Sequence, residues 1–344
     1  MEQPKVTVLM PVFNAERFLR EAIDSILIQT FQDFEFLIID DGSTDSSRQI
    51  IRSYVDPRIR YYENGSNLGI SETLNKGIRL ASCDLIARMD ADDVSYPHRL
   101  QKQYDYMMQH QNCALLSTWA RVITEDKRFV RLERYRSKFY YYNLTFECWM
   151  YHPTIMFRRQ PVEAVGMYSM KYSEDYDLFW KVSTAFEIGN LAEALVDYRL
   201  SSTSLNTVLK KLEYDVANEQ NVLRNIRYYM GADFPISQNE LECLRHNFHP
   251  IAKRENVDEI LEVLKILDAI TEKILTHKNP NRDEEQIHAA HYYKRNFIIA
   301  EVCKLLPRKK AMELLIKTHS WMVLYEWTKH SVEWRVKRLA KVFM

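Results

Sequence analysis

Over roughly its first quarter the chain alternates short apolar runs with stretches of helical spacing, and few folds accept that order. Residues 6–12, VTVLMPV, read as a buried strand. In residues 15–29 Phe18, Ala22 and Ile26, together with Leu19 and Ile23, fall on one face at helical spacing. Residues 34–39 and 59–62 predict two further strands, 74–80 lies in a helix, and 84–89 predict a fourth strand. Such alternation predicts a mostly parallel sheet with helices on both faces. In sheets of that kind ligands sit at the carboxyl ends of the strands. Asp40-Asp41 and Asp90-Ala91-Asp92-Asp93 both emerge there.

Composition bounds the rest. Of 344 residues, 46% are hydrophobic, enough for a core and too many for a disordered chain. The 47 basic and 47 acidic residues cancel, so no global field favours nucleic acid. The five cysteines are scattered, with no CxxC pair, and predict reduced thiols and a cytoplasmic protein. The polar start of the chain reads as lacking a signal peptide, and apolar runs fall short of the ~18 residues needed to span a bilayer. Six of the seven glycines precede residue 205, and longer helical patterns follow it, as at Ile260, Leu264, Leu267 and Ile274. We therefore expect an α/β domain over residues 1–204 and a helical region over 205–344, broken near Pro235, Pro250, Pro280 and Pro307.

A nucleoside diphosphate brings several negative charges into a cleft, and a divalent cation bridging its oxygens offsets them. Hard cations such as Mg²⁺ or Mn²⁺ take carboxylate oxygens. Carboxylates at n and n+2 on a turn after a buried strand can meet one ion, and Asp90, Asp92 and Asp93 offer that spacing. Taken alone, the run is also an ordinary solvated acidic turn. Asp40 and Asp41 can accept from a base N–H or a ribose hydroxyl, or cap the helix expected near Thr44. Pro11 and Phe13 offer a wall for a base.

Pro11-Val12-Phe13-Asn14-Ala15, Gln29-Thr30-Phe31, Ile39-Asp40-Asp41-Gly42-Ser43-Thr44-Asp45, Asn67-Leu68-Gly69 and Met89-Asp90-Ala91-Asp92-Asp93 occur in the order seen in family 2 glycosyltransferases. The chain resembles that family over about its first hundred residues. The resemblance implies the GT-A fold, a Rossmann-like mixed sheet flanked by helices, with the helical C-terminal region as an extension. It also implies a nucleotide-sugar donor, often UDP-linked, a Mn²⁺ or Mg²⁺ ion, and inversion at the anomeric carbon. By position, Pro11, Phe13, Asn14, Asp41, Asp90, Ala91 and Asp92 correspond to the donor site. Asp41 corresponds to the base reader, and either Asp92 or Asp93 to the metal ligand.

Inversion needs a general base on the acceptor side. Ser173-Glu174-Asp175-Tyr176-Asp177 resembles the family's ED segment and marks Asp175 as that base, with Glu174 and Asp177 as neighbouring acids. Residues 152–158, HPTIMFR, also resemble a family segment and read as a strand, with His152 at donor phosphate or acceptor, or purely structural. Arg199, after the last expected strand, either clamps diphosphate or pairs with Asp197. Residues 329–344 carry five cations against Glu333 and an apolar face of Val332, Val336, Leu339 and Phe343. That pattern suits the inner face of the cytoplasmic membrane or packing on the domain. The expected activity is inverting transfer to a hydroxyl of a glycan or lipid-linked acceptor, in bacterial surface polysaccharide synthesis. The alternatives are a sugar nucleotidyltransferase, which wants a Gly-rich loop that residues 11–14 lack, and a nucleotide-sugar-binding scaffold without turnover.

Overall fold

The computed structural model describes residues 4–134, 139–201 and 210–320; the basic stretch 329–344 lies outside them. Contacts divide the chain into two compact units, one running to Asn221 with Asn279–Asn281 added, the other comprising Val222–Lys278 and the residues from Arg282 onward.

The first unit is built on one nine-stranded sheet. Its strands are β1 (Val6–Val12), β2 (Phe34–Asp40), β3 (Ile59–Glu63), β4 (Leu85–Arg88), β5 (Val94–Ser95), β6 (Cys113–Ile123), β7 (Phe129–Glu133), β8 (Met156–Arg158) and β9 (Glu187–Arg199). The spatial order is β3-β2-β1-β4-β8-β6-β9-β5, with β7 added beside β6. β3, β2, β1 and β4 run parallel, as the alternation predicts. Beyond β4 the order is that of the mixed sheet which the family resemblance implies. β8 pairs antiparallel with both β4 and β6, and β5 pairs antiparallel with β9, so the sheet is mixed. Residues 152–158 divide: His152–Thr154 form a 3₁₀ turn and only Met156–Arg158 a strand. Arg199 is the last residue of β9 rather than a residue beyond it.

All seven positions of β1 and of β2 are buried, which explains why each reads as a continuous apolar run. One set of alternate residues, Val6, Val8, Met10 and Val12 with Phe34, Phe36 and Ile38, packs with Leu19, Ala22, Ile23 and Ile26 of α1 (Leu19–Leu27). The opposite face of β1 meets α3, since the carbon that a side chain at Gly77 would add lands on Leu9. Helices α2 (Ser47–Arg52), α3 (Ile70–Leu80), α4 (Arg99–Gln109), α5 (Tyr140–Asn143), α6 (Arg159–Ala164) and α7 (Glu174–Ala185) complete this unit with the first part of α8 (Lys211–Met230).

The second unit is helical: the end of α8, then α9 (Gln238–Leu244), α10 (His249–Ala252), α11 (Val257–Thr276), α12 (Glu284–Leu305) and α13 (Arg308–Lys317). Pro235 and Pro280 lie between helices, while Pro250 and Pro307 sit at helix starts, where a missing N–H costs nothing. In α11, Ile260, Leu264, Leu267, Ile270 and Ile274 are buried, as their spacing predicts. No helix among the described residues is long and apolar enough to cross a membrane.

Gly42, directly after β2, sits at φ +78°, and a Cβ there would come within 2.8 Å of the backbone of Ser66 and Asn67. Both the left-handed conformation and the close approach demand glycine. Gly42→Ala should lower stability by about 1–3 kcal/mol, measured by chemical denaturation.

Candidate active site

The ends of β1 and β2 are locked to each other by short polar side chains. Asn14 sits at φ 49°, a left-handed conformation that Asn tolerates. Its N–H donates to Ser43 Oγ at 3.0 Å, and its Oδ1 accepts from the Thr44 N–H at 2.8 Å. One residue on, the Ala15 N–H donates to Ser47 Oγ at 2.9 Å. This is why Ser and Thr crowd the segment after Asp41: they stitch two loops, and the helix they precede begins only at Ser47. Pro11 is buried within β1, whereas the Phe13 ring is left 47% exposed.

Asp40 and Asp41 differ in employment. Asp40 accepts from the Ser43 N–H and pairs with Arg48 at 2.9 Å. Asp41 accepts from Asn64 Nδ2 at 2.8 Å and from the Leu68 and Gly69 N–H groups at 2.9 Å. Its carboxylate therefore shapes the 64–69 loop, and Oδ2, with one bond, keeps an acceptor direction open. Leu68 on that loop, part of the Asn67-Leu68-Gly69 motif, is 52% exposed, an apolar surface to which the sequence reading gave no role.

At the end of β4, carboxylate oxygens of Asp90, Asp92 and Asp93 lie within 4.8 Å of one another. Asp93 is buried; its Oδ1 accepts from the Arg199 N–H at 2.7 Å, while Oδ2 is buried with no hydrogen-bond partner among the described residues. Burial and the neighbouring carboxylates push Asp93 well above the usual carboxylate range. The same two causes raise Asp92 to about 7. Repelling, partly desolvated carboxylates with an orphaned oxygen are what a divalent cation relieves. The donor set is all oxygen, which fits Mg²⁺ or Mn²⁺. Ala91, between them, is buried and sets the turn.

Three buried arginines hold this turn. Arg88 pairs with Asp90. Arg99, at the start of α4, is fully buried and donates to the Arg88 carbonyl at 2.7 Å; burial, then repulsion by Arg88, drops its pKa to about 9. Arg199 donates through Nε to the Asp92 carbonyl at 2.7 Å, through Nη1 to the Glu125 carbonyl at 3.0 Å and through Nη2 to Glu21 at 2.9 Å. Asp197 is taken instead by Arg121 and Tyr96. Every guanidinium nitrogen of Arg199 thus has a partner within the fold, and its geometry is that of a brace for the acidic turn. Sequence reasoning did not single out Arg88 or Arg99. A cation in an otherwise apolar strand end was the available signal.

On the other side of β4 stand His152, Glu174 and Asp175. His152 is buried, with Nε2 at 2.7 Å from the Tyr168 hydroxyl and Nδ1 at 3.8 Å from Glu174 Oε1. Burial, then the charge of Arg88, drives it well below its ordinary pKa, so it is neutral. Glu174 and Asp175 open α7 behind Ser173, which takes the left-handed conformation at φ 54° and is tied to Asn221 Nδ2 through its carbonyl and hydroxyl. Burial raises Asp175 above its usual value, and the Asp90 charge adds to the rise, so Asp175 feels the acidic turn. Asp177 faces elsewhere, bound by Ser169 and by Lys181 at 2.9 Å.

A family model described as Glycosyl transferase family 2 matches residues 7–168. An uncharacterised glycosyltransferase of Methanocaldococcus jannaschii is 30% identical over 247 residues, 67% of this chain and 83% of its own length. The chain belongs to glycosyltransferase family 2. The O-antigen biosynthesis glycosyltransferase WbnJ of Escherichia coli is 34% identical over 213 residues, 58% of this chain and 81% of its own. Among solved structures, residues 1–349 of S. aureus TarS in complex with UDP-GlcNAc match with a TM-score of 0.56 at 14% identity, over 90% of this chain and 89% of that one. The protein is thus a glycosyltransferase of GT-A fold. That assignment favours a transferase over the nucleotidyltransferase and scaffold alternatives.

Arg199→Ala leaves the Asp92 and Glu125 carbonyls and the Glu21 carboxylate without these partners. It should cost about 3 kcal/mol of stability, read by urea denaturation.

Proposed function

We propose that this glycosyltransferase inverts configuration, moving a sugar from a nucleotide-sugar to a hydroxyl of a glycan or lipid-linked acceptor. The observation that carries the reading is the convergence of Asp90, Asp92 and Asp93 at the end of β4, on the same side as the Asp40-Asp41 loop. Asp92 and Asp93 would hold the divalent cation, which when bound neutralises charge on the departing diphosphate. Asp90 would take the ribose side. Phe13 and Leu68 offer exposed apolar surface to a base, with Asp41 Oδ2 as its acceptor and Asn14 and Pro11 keeping that wall in place. UDP is the preferred donor nucleotide, because the solved TarS neighbour holds UDP-GlcNAc.

On the acceptor side Asp175 serves as the base. The acceptor oxygen forms its bond to the anomeric carbon while the bond from that carbon to the diphosphate oxygen breaks. The electron pair leaves with the diphosphate, and the acceptor proton passes to Asp175. His152, neutral and held by Tyr168, lines this side without adding charge; Arg199 acts through the backbone of the acidic turn rather than by touching phosphate. WbnJ, the relative from E. coli, bears an O-antigen role, and surface polysaccharide synthesis is the setting we propose here too. Residues 329–344 would hold the enzyme to the inner face of the cytoplasmic membrane.

Asp92→Ala should abolish Mn²⁺-dependent binding of nucleotide-sugars in a calorimetric screen; unchanged binding would remove the metal assignment. Asp175→Asn should bind donor normally yet transfer roughly 10²–10⁴-fold more slowly. Because burial raises Asp175, the rate should fall as pH drops through a pKa above the ordinary carboxylate value. A pH–rate profile of kcat measures this, and a rate flat down to about pH 4 would contradict it.

A further inference from the structure

The transfer scheme leaves unused a second carboxyl group beside the base. Glu174 is 5% exposed, and its Oε2 is buried without a hydrogen-bond partner among the described residues. Oε1 lies 3.8 Å from His152 Nδ1. The wall behind it is tied together by hydrogen bonds. His152 is fixed at Nε2 by Tyr168, whose backbone is clamped by Asn75: the Tyr168 N–H donates to Oδ1 at 3.0 Å and Asn75 Nδ2 donates to the Tyr168 carbonyl at 2.8 Å. Phe179 closes edge-on against the His152 ring, with centroids 5.8 Å apart.

The groups whose charge reaches Glu174 are Asp175 on its own helix and Arg88 and Asp90 at the end of β4. Arg88 is already paired with Asp90. His152, Tyr168 and Tyr214, which face it from the 3₁₀ turn, the segment after α6 and α8, are uncharged at neutral pH. An ionised Glu174 would be a buried anion with no cation of its own among the described residues, next to a second carboxylate. A carboxylic acid avoids that desolvation cost and the repulsion. Two carboxyls that interact electrostatically in a poorly solvated place share a proton in preference to both ionising.

We propose that Glu174 is a positioning residue that works as a neutral acid, so that Asp175 is the single anion of the pair and the one free to take the acceptor proton. The proposal rests on Asp175 being the base. Burial and Asp175 together raise Glu174 to about 8, against an ordinary value of 4.5. A carboxyl raised on folding contributes its full stability below its unfolded pKa and loses it as pH climbs toward the folded value. The protein should therefore lose stability between about pH 5 and 9 by this group, and Glu174→Gln, which copies the neutral acid, should not.

The test compares Glu174→Gln, Glu174→Ala, Asp175→Asn and wild type. Melting temperatures are taken from about pH 5 to 9, infrared spectra near neutral pH, and transfer rates at the same pH with the nucleotide-sugar that the calorimetric screen identifies. We expect Glu174→Gln to flatten the melting profile at the alkaline end and to remove a protonated-carboxyl carbonyl band. It should transfer within about threefold of wild type, and Glu174→Ala more than about tenfold more slowly. The proposal is overturned if Glu174→Gln is as inactive as Asp175→Asn, or if its melting profile and infrared spectrum match wild type. Should Asp175→Asn remain active, the base assignment fails by itself, and the melting and infrared comparisons still decide the protonation of Glu174.

Discussion

Three carboxylates within 4.8 Å of one another, partly removed from water, repel one another, and much of the first unit is arranged around that repulsion. Without compensation, carboxylates this close take up protons in preference to staying ionised, as the raised Asp92 and Asp93 reflect. The fold answers with cations placed beneath and beside the turn. Arg88 meets Asp90 directly, Arg99 fixes the backbone of Arg88 from below, and Arg199 grips the Asp92 carbonyl and donates its N–H to Asp93. None of these satisfies Asp93 Oδ2. A cluster of oxygen donors with one orphaned oxygen fits the divalent cation proposed for this turn.

The same field reaches Glu174 and Asp175. Burial raises both, Asp90 adds to the rise and Arg88 opposes it; burial, then the charge of Arg88, keeps His152 neutral. On the function proposed above, the donor and acceptor sides would be linked electrostatically through one strand end, β4. A cation held by Asp92 and Asp93 would weaken the repulsion across that link and so tie the readiness of the proposed base to occupancy of the proposed donor site. This coupling follows from Coulomb interactions in a poorly solvated cleft and needs no moving part.

Which parts of this were legible in the sequence follows from the physics of each. The parallel half of the sheet is readable because β1 and β2 are buried on both faces, so their runs are continuously apolar. β6 and β9 are long strands with intermediate positions and irregular register between them, and no simple period marks them. The acidic turn is readable from spacing, and Asp175 from its resemblance. The partners of these acids are not. Arg99 belongs to no pattern in the sequence; its role emerges only once α4 is folded against β4 and its guanidinium meets the Arg88 carbonyl. Arg199 reaches Asp92 across 107 residues. Asp41 shows the converse: its identity is plain in the sequence, while its bonds to the 64–69 loop arise only from the tertiary turn at Gly42.

The turn at Asp90-Ala91-Asp92-Asp93 is where the cation that carries the donor diphosphate should bind. The most direct measurement is anomalous diffraction from crystals grown with Mn²⁺ and a nucleoside diphosphate. One strong anomalous peak is predicted within coordination distance of Asp92 or Asp93, bridged to the diphosphate. A Mn²⁺ peak elsewhere, or a bound diphosphate with no metal at this turn, would contradict that placement.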